Sequence, residues 1–122
     1  SMNSADASRY LESLRNYMAR EKPYLEEGLT LQQLAKNAEI PPHHLSMVIN
    51  SRLSMNFFSF VNSYRVEEAI QLMRNPEYSD HTLLQIAFEA GFQSKAAFNT
   101  AFKRQTGLAP GDFRKRLKEV NP

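Results

Sequence analysis

The amino-acid sequence predicts an all-α fold of about seven helices, arranged as two helix-turn-helix subdomains joined by a long linker helix. Apolar residues recur at the three- and four-residue spacing of amphipathic helices, and cap or breaker residues separate these stretches. Only four glycines occur in 122 residues, and no stretch alternates Val, Ile and Thr, so a sheet is not expected. The length of 122 residues is enough for one core but not for a core plus a separate sensor, and the 42% hydrophobic content argues against disorder.

The N-terminal part, residues 8–56, is expected to hold one helix and the first helix-turn-helix. Ser4 or Asp6 can cap the first helix, and Pro23 ends it. The stretch 1–7 reads as a two-residue expression remnant followed by a flexible terminus.

Two short helices then form the first helix-turn-helix. Thr30 can cap the first of them, and Pro42 suits the opening turn of the second. Asn56 can cap a linker helix over residues 57–75, whose apolar positions recur at helical spacing.

The second helix-turn-helix and a final helix are expected over residues 82–118. Thr82 and Ser94 can cap its two short helices, and Gly107 lies where a left-handed C-cap is wanted. Pro110 then opens the last helix, because proline is well suited to a first helical turn.

The two helix pairs repeat one pattern of residues. Ile86-Ala87, Ala90 and Phe92 follow Leu34-Ala35, Ala38 and Ile40 at an offset of 52, and Phe98, Phe102 and Phe113 follow Leu45, Ile49 and Phe60 at an offset of 53. The one-residue slip falls in the turn between paired helices, where insertions are tolerated. Two copies with matching flanks favour helix-turn-helix units over unrelated helical hairpins.

The turn positions of the two copies differ in residue type. Gly91 is the expected residue for a turn that needs positive φ. Glu39 occupies the equivalent position, so the first turn either carries a cost of about 1 kcal/mol or has another geometry.

Charge is distributed unevenly along the chain. Net charge is +2, but residues 61–93 hold two basic and five acidic side chains, whereas residues 94–122 hold seven basic and two acidic ones. A basic C-terminal quarter suggests a polyanionic partner, although basic residues also favour the ends of solvated helices.

The string Ile86-Ala-Phe-Glu-Ala-Gly-Phe-Gln-Ser94, followed by Phe98 to Lys103 and Gly107 to Arg114, resembles the signature of the AraC/XylS family of bacterial transcription regulators. The resemblance covers roughly residues 8–118, including a linker-like stretch at 64–69. It implies double-stranded promoter DNA as the partner, with RNA polymerase and a second protomer as further ones. It implies no enzymatic activity and no cofactor.

In the second unit, the outward face of the helix after Ser94 carries the candidate base-reading residues. A lysine can donate to guanine acceptors, an asparagine can pair with adenine, and small apolar groups can touch a thymine methyl. By resemblance, the base-reading positions are Lys95, Ala96, Asn99 and Thr100. The phosphate-contacting candidates are Lys103, Arg104, Arg114 and Arg116.

The first unit offers a weaker reading face. The matching positions are His43, Ser46, Met47 and Asn50, with Arg52 as the nearest positive charge and phosphate candidate. This near-neutral face leaves an alternative open, in which the first unit contacts RNA polymerase or a second protomer rather than bases. In the leading interpretation, two recognition helices enter successive major-groove segments about 34 Å apart.

Other site types find no support in the sequence. There is no cysteine, and adjacent histidines such as His43 and His44 point about 100° apart on a helix, so no metal site is expected. No catalytic triad, Gly-rich phosphate loop or paired-carboxylate site stands at a useful spacing. No apolar run suggests a membrane span. The absence of cysteine fits a cytosolic setting, and the family resemblance implies a bacterial one, so a bacterial cytoplasmic setting is expected. Glu21-Lys22-Pro23-Tyr24 resembles members that follow a sensor, often one embedded in the inner membrane.

Overall fold

The computed structural model describes residues 2–120, which form seven α-helices and no strand. Two short 3-10 turns, Pro23–Leu25 and Pro76–Tyr78, lie in the longer connections. The chain divides into two compact units, Ser1–Val61 and Asn62–Pro122, with the boundary inside the fourth helix. This confirms the all-α prediction. The helices are α1 (Ser4–Glu21), α2 (Leu31–Ala38), α3 (Pro42–Leu53), α4 (Phe57–Arg74), α5 (Leu83–Glu89), α6 (Lys95–Thr106) and α7 (Pro110–Val120).

Helix α1 begins earlier than the sequence predicts. The Asn3 side chain accepts a hydrogen bond from the Asp6 backbone N–H at 2.8 Å, and the Asp6 carboxylate accepts one from the Asn3 N–H at 3.3 Å. The prediction of Ser4 or Asp6 as the cap is therefore wrong. The prediction of a flexible terminus is also wrong for residues 4–7, which belong to α1. Ser1 lies outside the described residues. The Asn3 backbone and then the Arg9 guanidinium lower the pKa of Asp6, so this cap weakens only as the pH falls through that pKa.

The two helix pairs start in the same way. Thr30 accepts from the Gln33 N–H while Gln33 accepts from the Thr30 N–H, and the pair Thr82 and Gln85 repeats both bonds. These reciprocal capping boxes satisfy backbone donors that a helix start otherwise leaves unpaired. They show that the predicted repeat extends to the local hydrogen bonding.

The turns between the paired helices also share one geometry. Glu39 has φ 57° and Gly91 has φ 101°, so both lie in the positive-φ region. The next amide donates back in each case, from Ile40 to the Ala35 carbonyl and from Phe92 to the Ala87 carbonyl, both at 3.0 Å. Glu39 therefore occupies the ordinary turn at a conformational cost.

Substitutions at these two turn positions should move stability in opposite directions. Gly91→Ala should lower the free energy of unfolding by about 1–2 kcal/mol, because a Cβ strains a buried, positive-φ position. Glu39→Gly should raise it by about 0.5–1 kcal/mol, since the relief of strain exceeds the extra chain entropy of glycine. Urea denaturation followed by circular dichroism measures both.

Gly28→Ala is the matched control for these turn variants. Gly28 is exposed, has no positive φ, and an added Cβ would meet no atom within 4 Å. This substitution should therefore leave stability unchanged or slightly improved. An equal loss for Gly28→Ala and Gly91→Ala would contradict the strain argument.

Unit 1 buries residues from its first three helices and from the start of α4. The most enclosed positions have the spacing expected of amphipathic helices. They are Leu14, Met18, Leu34, Leu45, Val48, Ile49, Phe60 and Val61.

Unit 2 is built around a run of phenylalanine rings. The Phe92–Phe98, Phe98–Phe102 and Phe102–Phe113 ring pairs stand edge to face, with centroids 5.3, 5.5 and 5.2 Å apart. Edge-to-face pairs add to the energy of apolar burial. Helix α4 also contributes Val66 and Ile70, two buried residues that the sequence interpretation did not include.

Candidate nucleic-acid interface

Helix α6 has one buried and one exposed face. Ser94 caps its start by accepting from the Ala97 N–H at 3.1 Å, and Phe98 and Phe102 are held in the core. This orientation turns the opposite side of the helix outward. All four predicted base-reading side chains of unit 2 are exposed: Lys95, Ala96, Asn99 and Thr100.

The exposed face of α6 carries uncompensated positive charge. Lys95, Lys103 and Arg104 are exposed, and α6 contains no acidic residue. Within residues 2–120, none of these side chains, nor the amide of Asn99, forms a hydrogen bond or an ion pair. All of them therefore keep their donors available to an anionic or polar partner.

Gln105 anchors α6 to α4 within unit 2. Its amide donates to the Glu67 carboxylate at 2.9 Å and to the Ser63 carbonyl at 3.4 Å. These bonds help to orient the exposed face of α6. Sequence reasoning missed Gln105, because its partners lie about forty residues earlier in the chain and no local pattern marks them.

Helix α3 exposes a different set of groups. His43, Met47 and Asn50 are exposed, whereas Ser46 is only half-exposed. The Asn50 amide donates to the Ser46 carbonyl at 3.1 Å, and the neighbouring Ser51 hydroxyl donates to the Met47 carbonyl at 2.7 Å. The outward face of α3 thus presents an imidazole and a thioether, and its amide and hydroxyl donors are largely used within the helix.

Arg52 has a role inside unit 1. Its guanidinium donates to the Ser4 carbonyl at 2.8 Å, to the Ser4 hydroxyl at 3.0 Å and to the Ser8 hydroxyl at 2.9 Å. It therefore ties the end of α3 to the first turns of α1. Because these bonds occupy both terminal nitrogens of the guanidinium, the structure does not support the predicted phosphate contact of Arg52.

Arg114 is likewise a structural residue, in unit 2. Its guanidinium donates to the carbonyls of His81, Tyr78 and Ser79 at 2.6, 3.1 and 3.2 Å. These three bonds hold the loop before α5 against α7. The sequence-based assignment of Arg114 to phosphate is therefore not supported, while exposed Arg116 remains a candidate.

Arg114→Ala and Arg104→Ala should separate structural from DNA-contacting arginines. Arg114→Ala should lower the free energy of unfolding of unit 2 by about 1–3 kcal/mol, because charge-assisted bonds to three carbonyls are lost. Arg104→Ala should leave stability unchanged and reduce the salt dependence of DNA binding by about one unit of log–log slope. A flatter slope for Arg114→Ala, with unchanged stability, would reverse the two assignments.

The histidines of α3 do not form a metal site. His43 is exposed, whereas His44 is half-buried with its ring 5.5 Å from that of Tyr10. Nowhere in residues 2–120 do three or more His, Cys, Asp or Glu side chains gather in a way that could hold a metal ion. In the same part of the chain, no helix combines the length and the hydropathy needed to cross a bilayer.

Comparison with known proteins decides the family. A sequence model of the helix-turn-helix domain matches residues 34–116, which run from within α2 to within α7 and include the whole of α3, α4, α5 and α6. The chain belongs to the AraC/XylS family. This family consists of DNA-binding transcription regulators and not of enzymes, which confirms both the resemblance and the non-enzymatic assignment.

Individual relatives of this AraC-type domain are similar over most of its length. The HTH-type transcriptional regulator SACOL0084 of Staphylococcus aureus is 32% identical over 91 residues, which are 75% of this chain and 12% of that protein. The chain thus spans about an eighth of that relative.

Solved structures share the fold. The C-terminal domain of AraT, a response regulator from Geobacillus stearothermophilus, is 26% identical with a TM-score of 0.70, covering 88% of this chain and 84% of that one. The DNA-binding domain of AdpA, solved with a target DNA, is 23% identical with a TM-score of 0.71, covering 93% and 96%.

Proposed function

We propose that this AraC-type domain binds double-stranded promoter DNA in a sequence-specific manner, with α6 as its principal recognition helix. The observation that carries the proposal is the exposed face of α6, where Lys95, Asn99, Lys103 and Arg104 all keep free donors. An α-helix fits the major groove, where each base pair presents a distinct set of donors and acceptors. The fold is shared with the DNA-binding domain of AdpA, which was solved with a target DNA, and this likeness is consistent with DNA binding.

The side chains of α6 divide by reach and chemistry. Lys95 is suited to guanine acceptors and Asn99 to a bidentate pair with adenine, while Ala96 and the Thr100 methyl suit a thymine methyl. Phosphate contacts are assigned to a second group, which supplies affinity and salt dependence rather than base preference. That group consists of Lys103, Arg104 and Arg116.

Unit 1 is assigned a smaller share of base discrimination. Arg52, the cationic side chain of α3, is bound to α1, and the uncharged Asn50 amide donates to the Ser46 carbonyl. His43, Ser46 and Met47 can still contact a groove through apolar and shape readout. The same observation favours a second candidate function, in which unit 1 contacts RNA polymerase or a second protomer.

Site selection followed by footprinting tests the proposal and separates the two candidates. Selection from random duplex DNA should yield a consensus, and protection over about two helical turns would show that both units read DNA. Protection of one turn would favour a protein-facing unit 1. Recovery of sequences without any consensus would contradict sequence-specific binding.

The domain is further proposed to be the output part of a longer bacterial regulator. Its similarity to one part of a much longer relative supports this arrangement. A sensor elsewhere in such a protein would receive the signal, and the domain would act in the cytoplasm, where the promoter DNA lies. Pull-down of RNA polymerase with wild-type and Met47→Ala domains tests the polymerase contact, and an equal yield would argue against a role for α3.

A further inference from the structure

The outward side of α5 exposes two large apolar residues. Leu84 is 42% exposed and Phe88 is 49% exposed, and their four-residue spacing places them on the same side of the helix. The repeat supplies a comparison, because the equivalent positions of α2 are Gln32 and Lys36, both exposed. The helix-turn-helix fold therefore does not require apolar residues at these positions, and the Leu84–Phe88 patch is open to a partner.

The exposed charge nearest to the Leu84–Phe88 patch in the sequence is negative. Glu89 ends the same helix, points about 100° away from Phe88 around the helix axis, is exposed, and has no ion pair within residues 2–120. Helix α5 contains no basic residue. A nucleic acid would be repelled from this surface, so its partner is expected to combine apolar groups with positive charge.

A groove with that combination lies elsewhere in unit 2. It has a volume of about 420 Å³, which is enough for an aromatic and an aliphatic side chain. No acidic residue lines it, and the guanidinium groups of Arg74 and Arg116 form no ion pair among the described residues. The groove is lined by Arg74, Leu108, Phe113, Arg116, Leu117 and Val120.

We propose that the Leu84–Phe88 patch of one copy of this chain docks into the arginine-rimmed groove of a second copy. The apolar side chains of the patch meet an apolar groove, and the Glu89 carboxylate meets the guanidinium of Arg74, which is not among the residues assigned to DNA phosphate. The patch and the groove are different surfaces of one unit, so the contact is head-to-tail. Each docked pair leaves one patch and one groove unused, so further copies can add in a row.

Directed cross-linking tests this contact, because the natural sequence contains no cysteine. One chain carries Phe88→Cys, another carries Val120→Cys, and the two are mixed under mild oxidation without DNA. The mixed disulfide should form at least tenfold faster than with Lys36→Cys in place of Phe88→Cys. Lys36 is the matched control, being exposed at the equivalent position of the other repeat.

The charge component has its own variants. Glu89→Arg should slow the mixed cross-link about tenfold, and adding Arg74→Glu to the partner chain should restore it. Circular dichroism checks that each variant is folded. Equal cross-linking rates for Phe88→Cys and Lys36→Cys would overturn the proposal, as would faster formation of the symmetric Phe88→Cys dimer. DNA binding is not needed for docking, so failure here is distinguishable from failure of the proposed function.

Discussion

Phe102→Ala is expected to lower the free energy of unfolding of unit 2 by about 3–5 kcal/mol. The Phe102 side chain is fully buried, and its ring stands edge to face with both Phe98 and Phe113. The substitution removes apolar burial and two ring pairs, and leaves a cavity. A unit of this size has a total free energy of unfolding of only about 3–9 kcal/mol, so a large fraction of the molecules should have unit 2 unfolded.

Phe58→Ala is the matched control for the core variant. The Phe58 side chain is 71% exposed, so the same chemical change there should cost less than about 0.5 kcal/mol. Thermal and urea denaturation of both variants, followed by circular dichroism, gives the comparison. Similar losses for the two variants would mean that the phenylalanine run is not the core of unit 2.

The second large effect is expected on DNA recognition. Asn99→Ala and Lys95→Ala should each weaken binding to the selected site by about 1–3 kcal/mol, because each removes hydrogen bonds to base edges. Binding to random duplex DNA should change little for Asn99→Ala, since an uncharged side chain adds little to nonspecific affinity. Fluorescence anisotropy at fixed salt, with selected and random duplexes, measures both quantities.

Asn37→Ala provides the control for the base-reading variants. Asn37 is an exposed asparagine on α2, outside the proposed reading face. The Asn37→Ala variant should bind the selected and the random duplex with the same affinities as the wild type. If Asn99→Ala lost the same factor on selected and random DNA, Asn99 would be a nonspecific contact and the base-reading assignment would fail.

Structural features that depend on neighbouring residues could be predicted from the sequence, whereas contacts between distant residues could not. Helix existence, the Thr30 and Thr82 caps and the repeat are all encoded within a few neighbouring residues, so they could be predicted. The exposure of Asn99 followed from helical period alone. The Asn3 cap is also a local signal, but the sequence predicted a cap at Ser4 or Asp6, because several neighbouring residues can cap a helix and its exact start is hard to choose among them.

The roles of the arginines could not be predicted from the sequence. Arg52, Arg104, Arg114 and Arg116 look alike in sequence, as basic residues on predicted helices. Only folding brings Arg52 against Ser4 and Arg114 against the carbonyls at 78–81, more than thirty residues away along the chain. A guanidinium bonds whichever acceptors the packing of helices delivers to it.

The two units differ in their capacity to bind DNA partly because of residue type and partly because of tertiary contacts. Composition already showed that α6 is basic and that α3 is nearly neutral. The structure added that Asn50 and Arg52 of α3 donate to Ser46 and to α1, whereas Lys95, Asn99, Lys103 and Arg104 of α6 keep their donors free. Residue type limits which partners a helix face can bind. The neighbours that folding provides then decide which donors on that face are left free for a partner.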